Sequence, residues 1–139
     1  MGFSTRIEVR GYELDSLGHV NHAVYHQYGE VARMKAFAEA GCDWDELMRR
    51  RVGPVLLSTT VNFRSELRGN DVVDVTCRAK FGTGKTFTLE QEIVKADGTL
   101  SAEMYGVFGV MDLDARKLFP DPRAALESAG LDTSVLLAP

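Results

Sequence analysis

The sequence predicts an α+β protein in which a curled antiparallel sheet wraps one long helix. Three observations carry this: one long stretch of helical period near the N-terminus, four long strand-like segments in the second half, and short turns between those segments. Parallel crossovers need about a dozen residues or more, which these connections lack, so the strands must run antiparallel.

Phe3 to Arg10 alternates apolar and polar residues, the period of a half-buried strand. A polar loop follows from Glu13 to Gly18. From about His22 the period becomes helical, with Val24, Tyr28, Val31, Met34 and Ala38 near one face and Gly41 placed for a C-terminus. That helix has about five turns, or roughly 28 Å. It is rich in apolar and small residues (Ala23, Val24, Gly29, Ala32, Ala36, Ala38, Ala40), so it can approach a sheet closely and be covered on more than one side. Its polar stripe suggests a buried Glu30–Arg33 pair. A short second helix is expected at Asp43 to Arg51, with Asp43 as cap.

Strands are predicted at Val55–Phe63, Val72–Phe81, Lys85–Lys95 and Leu100–Leu113, separated by Gly69-Asn70-Asp71, Gly82-Thr83-Gly84 and Asp97-Gly98. The last strand is apolar on both sides in its second half, which calls for a dimer contact or a ligand channel. A final helix is expected near Pro122 to Ala129, closing at Gly130.

At 139 residues the chain has the size of one domain, spanning 1–139. Its net charge of -4, with the basic residues dispersed, gives no footprint for nucleic acid. No apolar run approaches the roughly 20 residues of a membrane span, and the first residues lack the apolar core of a signal peptide. Cys42 and Cys77 lack metal-ligand spacing and read as structural, reduced thiols. Together these predict a cytoplasmic protein with neither a nucleic-acid nor a membrane partner.

The stretch DSLGHVNHAVYHQYGE, Asp15 to Glu30, holds all three histidines, His19, His22 and His26. Their spacing could align imidazoles on one helix face for a metal. Against that, Gly18 precedes His19, the helix begins only near Asn21 or His22, and HExxH is absent. No metal and no cofactor is expected. Asp15 precedes the helix by a few residues, where free amides and the positive end of the helix dipole favour negative charge. A carbonyl polarised by the first free amide would lie beside a carboxylate able to attack it or to activate water. The alternative role for Asp15 is a turn or capping carboxylate.

The run from Val9 to Tyr25 (VRGYELDSLGHVNHAVY), followed by Tyr28, Glu30, Ala32 and Arg33, resembles the 4-hydroxybenzoyl-CoA thioesterase family of hotdog-fold proteins. Val61-Asn62-Phe63 and Gly69-Asn70-Asp71-Val72-Val73 extend the resemblance over about residues 6 to 112. It implies a five-stranded antiparallel sheet around a central helix. It further implies hydrolysis of an acyl-CoA or acyl-carrier-protein thioester to free acid and thiol. Asp15 would be nucleophile or general base, the backbone amide of His22 would polarise the carbonyl, and His19 and Asn21 would orient the loop. Tyr25, Ser58, Thr59 and Thr60 become candidates for substrate contact, and Arg78, Lys80 and Lys85 for the CoA phosphates. A homodimer or homotetramer is implied as well.

His22 stands where the family pattern often has a second Asn, and Leu17 where the related plant acyl-carrier-protein thioesterases have a working Asn. Two other functions fit this fold. One is a non-catalytic acyl-CoA binding module. The other is a hotdog dehydratase, whose usual His and carboxylate motif is not seen.

Overall fold

A computed structural model describes residues 3–137. Its strands are β1 Phe3–Glu8, β2 Val52–Phe63, β3 Val72–Phe81, β4 Phe87–Lys95, β5 Leu100–Asp112 and β6 Lys117–Leu118. The helices are α1 His22–Glu39, α2 Trp44–Arg50 and α3 Pro122–Ser128. The five long strands form one antiparallel sheet in the order β1-β3-β4-β5-β2, and the two-residue β6 adds to β5. α1 packs against β1 and β3.

Local chemistry accounts for most boundaries. The Asp43 carboxylate accepts from the Asp45 and Glu46 amides at 3.0 and 3.2 Å, capping α2 as expected. Asp121 caps α3 in the same way, with Pro122 in the first turn, where no amide donor is needed. In the turn before β3, Asn70 takes φ 68° and the Asp71 carboxylate accepts from the Arg68 amide at 2.9 Å. β2 begins at Val52 rather than Val55 and so includes Pro54. A proline is compatible with a strand at a sheet edge, which β2 is.

The buried face of α1 differs from the expected one. Tyr25, Tyr28, Gly29, Ala32, Ala36 and Phe37 are buried, while Ala38 is exposed, Val31 is 39% exposed and Met34 47%. The reason is proximity to the sheet. A Cβ at Gly29 would lie 2.6 Å from Met104 Cε, so α1 comes close to β5 at this position. Tyr25, Tyr28 and Phe37 share that inner face, while Val31 and Met34 are left on the outer flank.

Two apolar clusters fill the space between helices and sheet. Tyr28, Leu67, Val73, Ile93 and Met104 belong to the one near the start of α1. Phe37, Leu47, Leu89, Phe108 and Leu126 belong to the one near its end. Fully burying such a side chain is worth about 1.5–3 kcal/mol, so each cluster holds one half of α1 firmly on the sheet.

Candidate active site

The segment from Leu14 to Val20 forms a miniature hairpin, closed by a bridge between those two residues. Asp15 donates its amide to the His19 carbonyl at 2.7 Å, and Gly18 donates to the Asp15 carbonyl at 3.1 Å with φ +83°. That φ lies in the left-handed region, where glycine carries no Cβ penalty. Inside the hairpin, Asp15 Oδ1 accepts from the amides of Leu17 and His19 at 2.9 and 3.2 Å. No described residue donates a hydrogen bond to Oδ2. Asp15 is therefore a turn-forming carboxylate through one oxygen, with the other facing outward.

At the far end of the hairpin the Val20 amide donates to the Leu67 carbonyl at 2.8 Å. Asn21 then caps α1, its side chain accepting from the Ala23 amide at 2.9 Å and its carbonyl from Val24 at 2.9 Å. The amide of His22, first residue of the helix, has no acceptor among the described residues. A free donor at the positive end of an eighteen-residue helix thus lies seven residues after the Asp15 carboxylate in the chain.

Glu13 holds this loop from beneath. It is 6% exposed; Oε1 accepts from the Tyr28 hydroxyl at 2.6 Å and the Arg10 amide at 2.9 Å, and Oε2 from the Arg10 guanidinium at 2.7 Å. Its main-chain carbonyl accepts from the Asn21 amide at 2.9 Å. Burial acts to raise the Glu13 pKa, but the Arg10 guanidinium, the Tyr28 hydroxyl and the Arg10 amide outweigh it and hold the carboxyl below its usual range. Burial, and then Glu13, push the Tyr28 phenol well above its ordinary value.

A cleft of about 310 Å³ opens over these groups. One side is formed by Asp15, His19, His22 and Tyr25, the other by Phe63, Arg64 and the following Ser65 and Glu66. The rings of Tyr25 and Phe63 meet edge to face at 5.0 Å.

Of the expected residues, Asp15, His19, His22 and Tyr25 line this cleft and Asn21 does not. His19 reaches Asp15 through its backbone amide, while its ring Nε2 contacts the Glu66 carboxylate. Hydrogen bonding from Arg68 is the largest influence lowering the Glu66 pKa. Asn21 acts as helix cap, and His22 and Tyr25 line the wall. Ser58, Thr59 and Thr60 lie exposed on β2, outside this cleft. Arg78 and Lys80 both contact Glu90, at 3.1 and 3.2 Å, and Lys85 is exposed in the turn after β3. None of these three cations lines the cleft of one chain.

The anticipated Glu30–Arg33 pair does not form. Glu30 is exposed, whereas Arg33 turns toward the sheet, donates to Gln91 Oε1 at 3.1 Å and lies 5.4 Å from the Phe108 ring centre. Gln91 and Phe108 are the nearer partners once the small-residue face of α1 is seated. Cys42 and Cys77 are free thiols, raised by burial to about 11 and about 12, which fits structural roles. Among the described residues no three His, Cys, Asp or Glu side chains group as metal ligands, and no helix is long and apolar enough to cross a membrane.

Sequence reasoning missed Glu13, Tyr28, Arg10, Ser65 and Glu66 as parts of this site. For Glu13 and Tyr28 the only signal was their place in the family-like run. Ser65 and Glu66 had none, because a fold-dependent crossing brings them to the cleft.

A curled antiparallel sheet over one long helix, with a loop carboxylate at that helix's N-terminus, is the hotdog arrangement of thioester hydrolases. Residues 9–129 match the thioesterase-like superfamily, and the chain belongs to it. It is similar to the long-chain acyl-CoA thioesterase FadM of Escherichia coli, with 29% identity over 114 residues, 81% of this chain and 86% of FadM. It is also similar to the acyl-acyl carrier protein thioesterase ATL3 of Arabidopsis thaliana chloroplasts, 36% identical over 72 residues, 52% of this chain and 38% of ATL3. The crystal structure of the probable thioesterase YbaW of Escherichia coli superposes with a TM-score of 0.81 at 27% identity, covering 91% of this chain and 98% of YbaW.

Proposed function

We propose that this chain hydrolyses an acyl thioester of CoA, or of the same arm on a carrier protein, with Asp15 and the His22 amide as its reacting pair. One observation carries the reading. A carboxylate with one oxygen fixed by the Leu17 and His19 amides shares a cleft with the free amide that opens α1.

In this reading the thioester carbonyl oxygen accepts from the His22 amide, and the helix terminus favours the charge that grows on it. A single oxyanion donor of this kind contributes about 2.7–4 kcal/mol. Asp15 Oδ2 then has two routes. It attacks the carbonyl carbon, expelling thiolate and leaving an acyl-aspartyl anhydride that water hydrolyses. Alternatively it takes a proton from water as that water attacks, and the thiolate leaves with the free acid as second product.

The Ser58–Thr60 segment and the cations Arg78, Lys80 and Lys85 enter this reading through a second copy. β2 is a twelve-residue strand at the sheet edge, with Leu56, Leu57 and Phe63 exposed. Edges of that length are normally covered or paired, and pairing two of them gives a homodimer, or a tetramer from two dimers. The two free thiols suit a reducing cytoplasm.

The test is thiol release from acyl-CoA and acyl-carrier-protein esters by native protein and Asp15→Asn side by side. Turnover lost in a folded variant supports the reading. Turnover retained by Asp15→Asn removes Asp15 from it, and tight acyl-CoA binding without turnover makes the chain a binding module.

A further inference from the structure

Hydrolysis of a thioester makes negative charge in two places, on the carbonyl oxygen as the carbon is attacked and on the sulfur as the C–S bond breaks. The His22 amide serves the first. For the second, the cleft holds one permanent cation, Arg64, among lining residues that include the carboxylates Asp15 and Glu66.

Arg64 follows directly on β2 and is fixed through both its main chain and its side chain. Its amide and that of Ser65 donate to the Ser101 carbonyl at 2.8 and 3.1 Å, and the buried Ser101 hydroxyl donates back to the Ser65 carbonyl at 2.7 Å. In the side chain, Nε donates to Glu103 Oε1 at 2.8 Å and Nη2 lies 2.8 Å from the same oxygen. Hydrogen bonding from Arg64, and then from the Tyr105 hydroxyl, holds the Glu103 carboxyl below its usual range, so this anchor stays ionised. Nη1 has no acceptor among the described residues. Glu66, the carboxylate on the same wall, is engaged instead by Arg68 and His19. A guanidinium tethered at one edge, with a donor left over, is set in place before charge appears.

Orientation decides which charge it meets. The bulk of the thiol carrier, a CoA nucleotide or a protein, is too large for a cleft of about 310 Å³, so the sulfur lies toward the open mouth. The Arg64 side chain is 55% exposed on that side, whereas Val20 and Tyr25, each 4% exposed, are the buried lining residues.

We infer that Arg64 is a further catalytic residue, whose guanidinium donates a hydrogen bond to the departing sulfur as the C–S bond breaks. The inference rests on the reading of Asp15 and the His22 amide as the reacting pair. The electron pair of the broken bond goes to sulfur, and the carbon keeps its new bond to the Asp15 or water oxygen. The guanidinium keeps its proton, because it is not deprotonated in proteins. The thiolate leaves beside Arg64 and takes its proton from solvent.

The test varies the leaving group while holding the acyl group at whichever the native chain cleaves fastest. The esters are those of CoA, of N-acetylcysteamine, an alkyl thiol without phosphate, and of a nitrothiophenol, whose thiolate needs little help. For each, kcat/KM covers the steps through C–S cleavage by either route. Arg64→Gln should lower kcat/KM about ten- to a hundredfold for both alkyl esters, the effect of losing a hydrogen bond to a charged group, and less than about threefold for the aryl ester. Arg64→Lys keeps the charge and loses the fork. It should recover part of the alkyl loss, and it carries the same comparison if the glutamine variant does not fold.

An equal loss on every ester, or no loss, would overturn the inference by leaving Arg64 a structural residue. A loss confined to the CoA ester overturns it as well, by making Arg64 a phosphate ligand. If the native chain cleaves no ester, the thioesterase reading fails and this inference falls with it. Cleavage that is lost in Asp15→Asn, with an unchanged leaving-group dependence in Arg64→Gln, refutes Arg64 alone.

Discussion

Tyr28, on the second turn of α1, donates a 2.6 Å hydrogen bond to Glu13 Oε1 although the two are fifteen residues apart. Because the Glu13 carbonyl also accepts from the Asn21 amide, one residue ties the Asp15 hairpin to the helix at two points. Tyr28→Phe leaves the ring packed and removes only the hydroxyl from a buried carboxylate. The expected cost is about 1–3 kcal/mol, a drop in Tm of several degrees. The same variant should lower kcat as the hairpin loosens. Unchanged Tm and kcat would show that the tie is dispensable.

The same carboxylate sets an acid limit. Its folded pKa is below its unfolded one, so its contribution is fully present above about 4.3 and is lost as pH falls through the depressed folded value. Glu13→Gln should therefore flatten the fall in Tm between neutral and strongly acidic pH, while lowering Tm at pH 7. Tyr28 has the opposite sign. Its raised pKa gives a contribution present below about 10 and lost as pH climbs toward the higher folded value.

Asp15→Asn separates chemistry from folding. The amide oxygen of Asn still accepts from Leu17 and His19, so Tm should stay within the range of an ordinary surface substitution, about 0.5 kcal/mol. Activity should fall about 10²- to 10⁴-fold. Asp15→Ala, lacking the acceptor, should lose stability as well.

His19 contributes a backbone amide to Asp15, while its ring contacts Glu66. His19→Ala preserves the amide and removes the ring. The expected loss in kcat/KM is therefore far smaller than for Asp15→Asn; an equal loss would make the imidazole itself a participant.

The β2 edge can be tested by light scattering. Leu57, the unpaired β2 residue at which the β2–β5 register shifts, is 49% exposed. A lysine there places a charge on the edge, a common device against edge pairing. Native protein should run as a dimer or larger and Leu57→Lys should run as a monomer. A native monomer would refute the paired edge.

Much of this molecule is legible from local signals. Asp43, Asn21 and Asp121 each precede a helix and cap it, and the alternation of β3 from Val73 to Phe81 maps directly onto its buried face. What was not legible depends on distance through space. The inner face of α1 is set by which residues meet the distant strands, Gly29 against Met104 among them, and the second wall of the cleft by the segment after β2 crossing near His19. Arg33 could not be separated from Glu30 by spacing alone, because Gln91 and Phe108 reach it from other strands.

The hairpin that carries Asp15 runs without interruption into the helix whose first amide is free, so both proposed reacting groups come from one short, continuous length of chain. The opposing wall, with Phe63 at the end of β2, comes from more than thirty residues further on. On the proposed reading, substitutions along that strand would change the wall facing the acyl group while leaving the Asp15 hairpin and the start of α1 untouched.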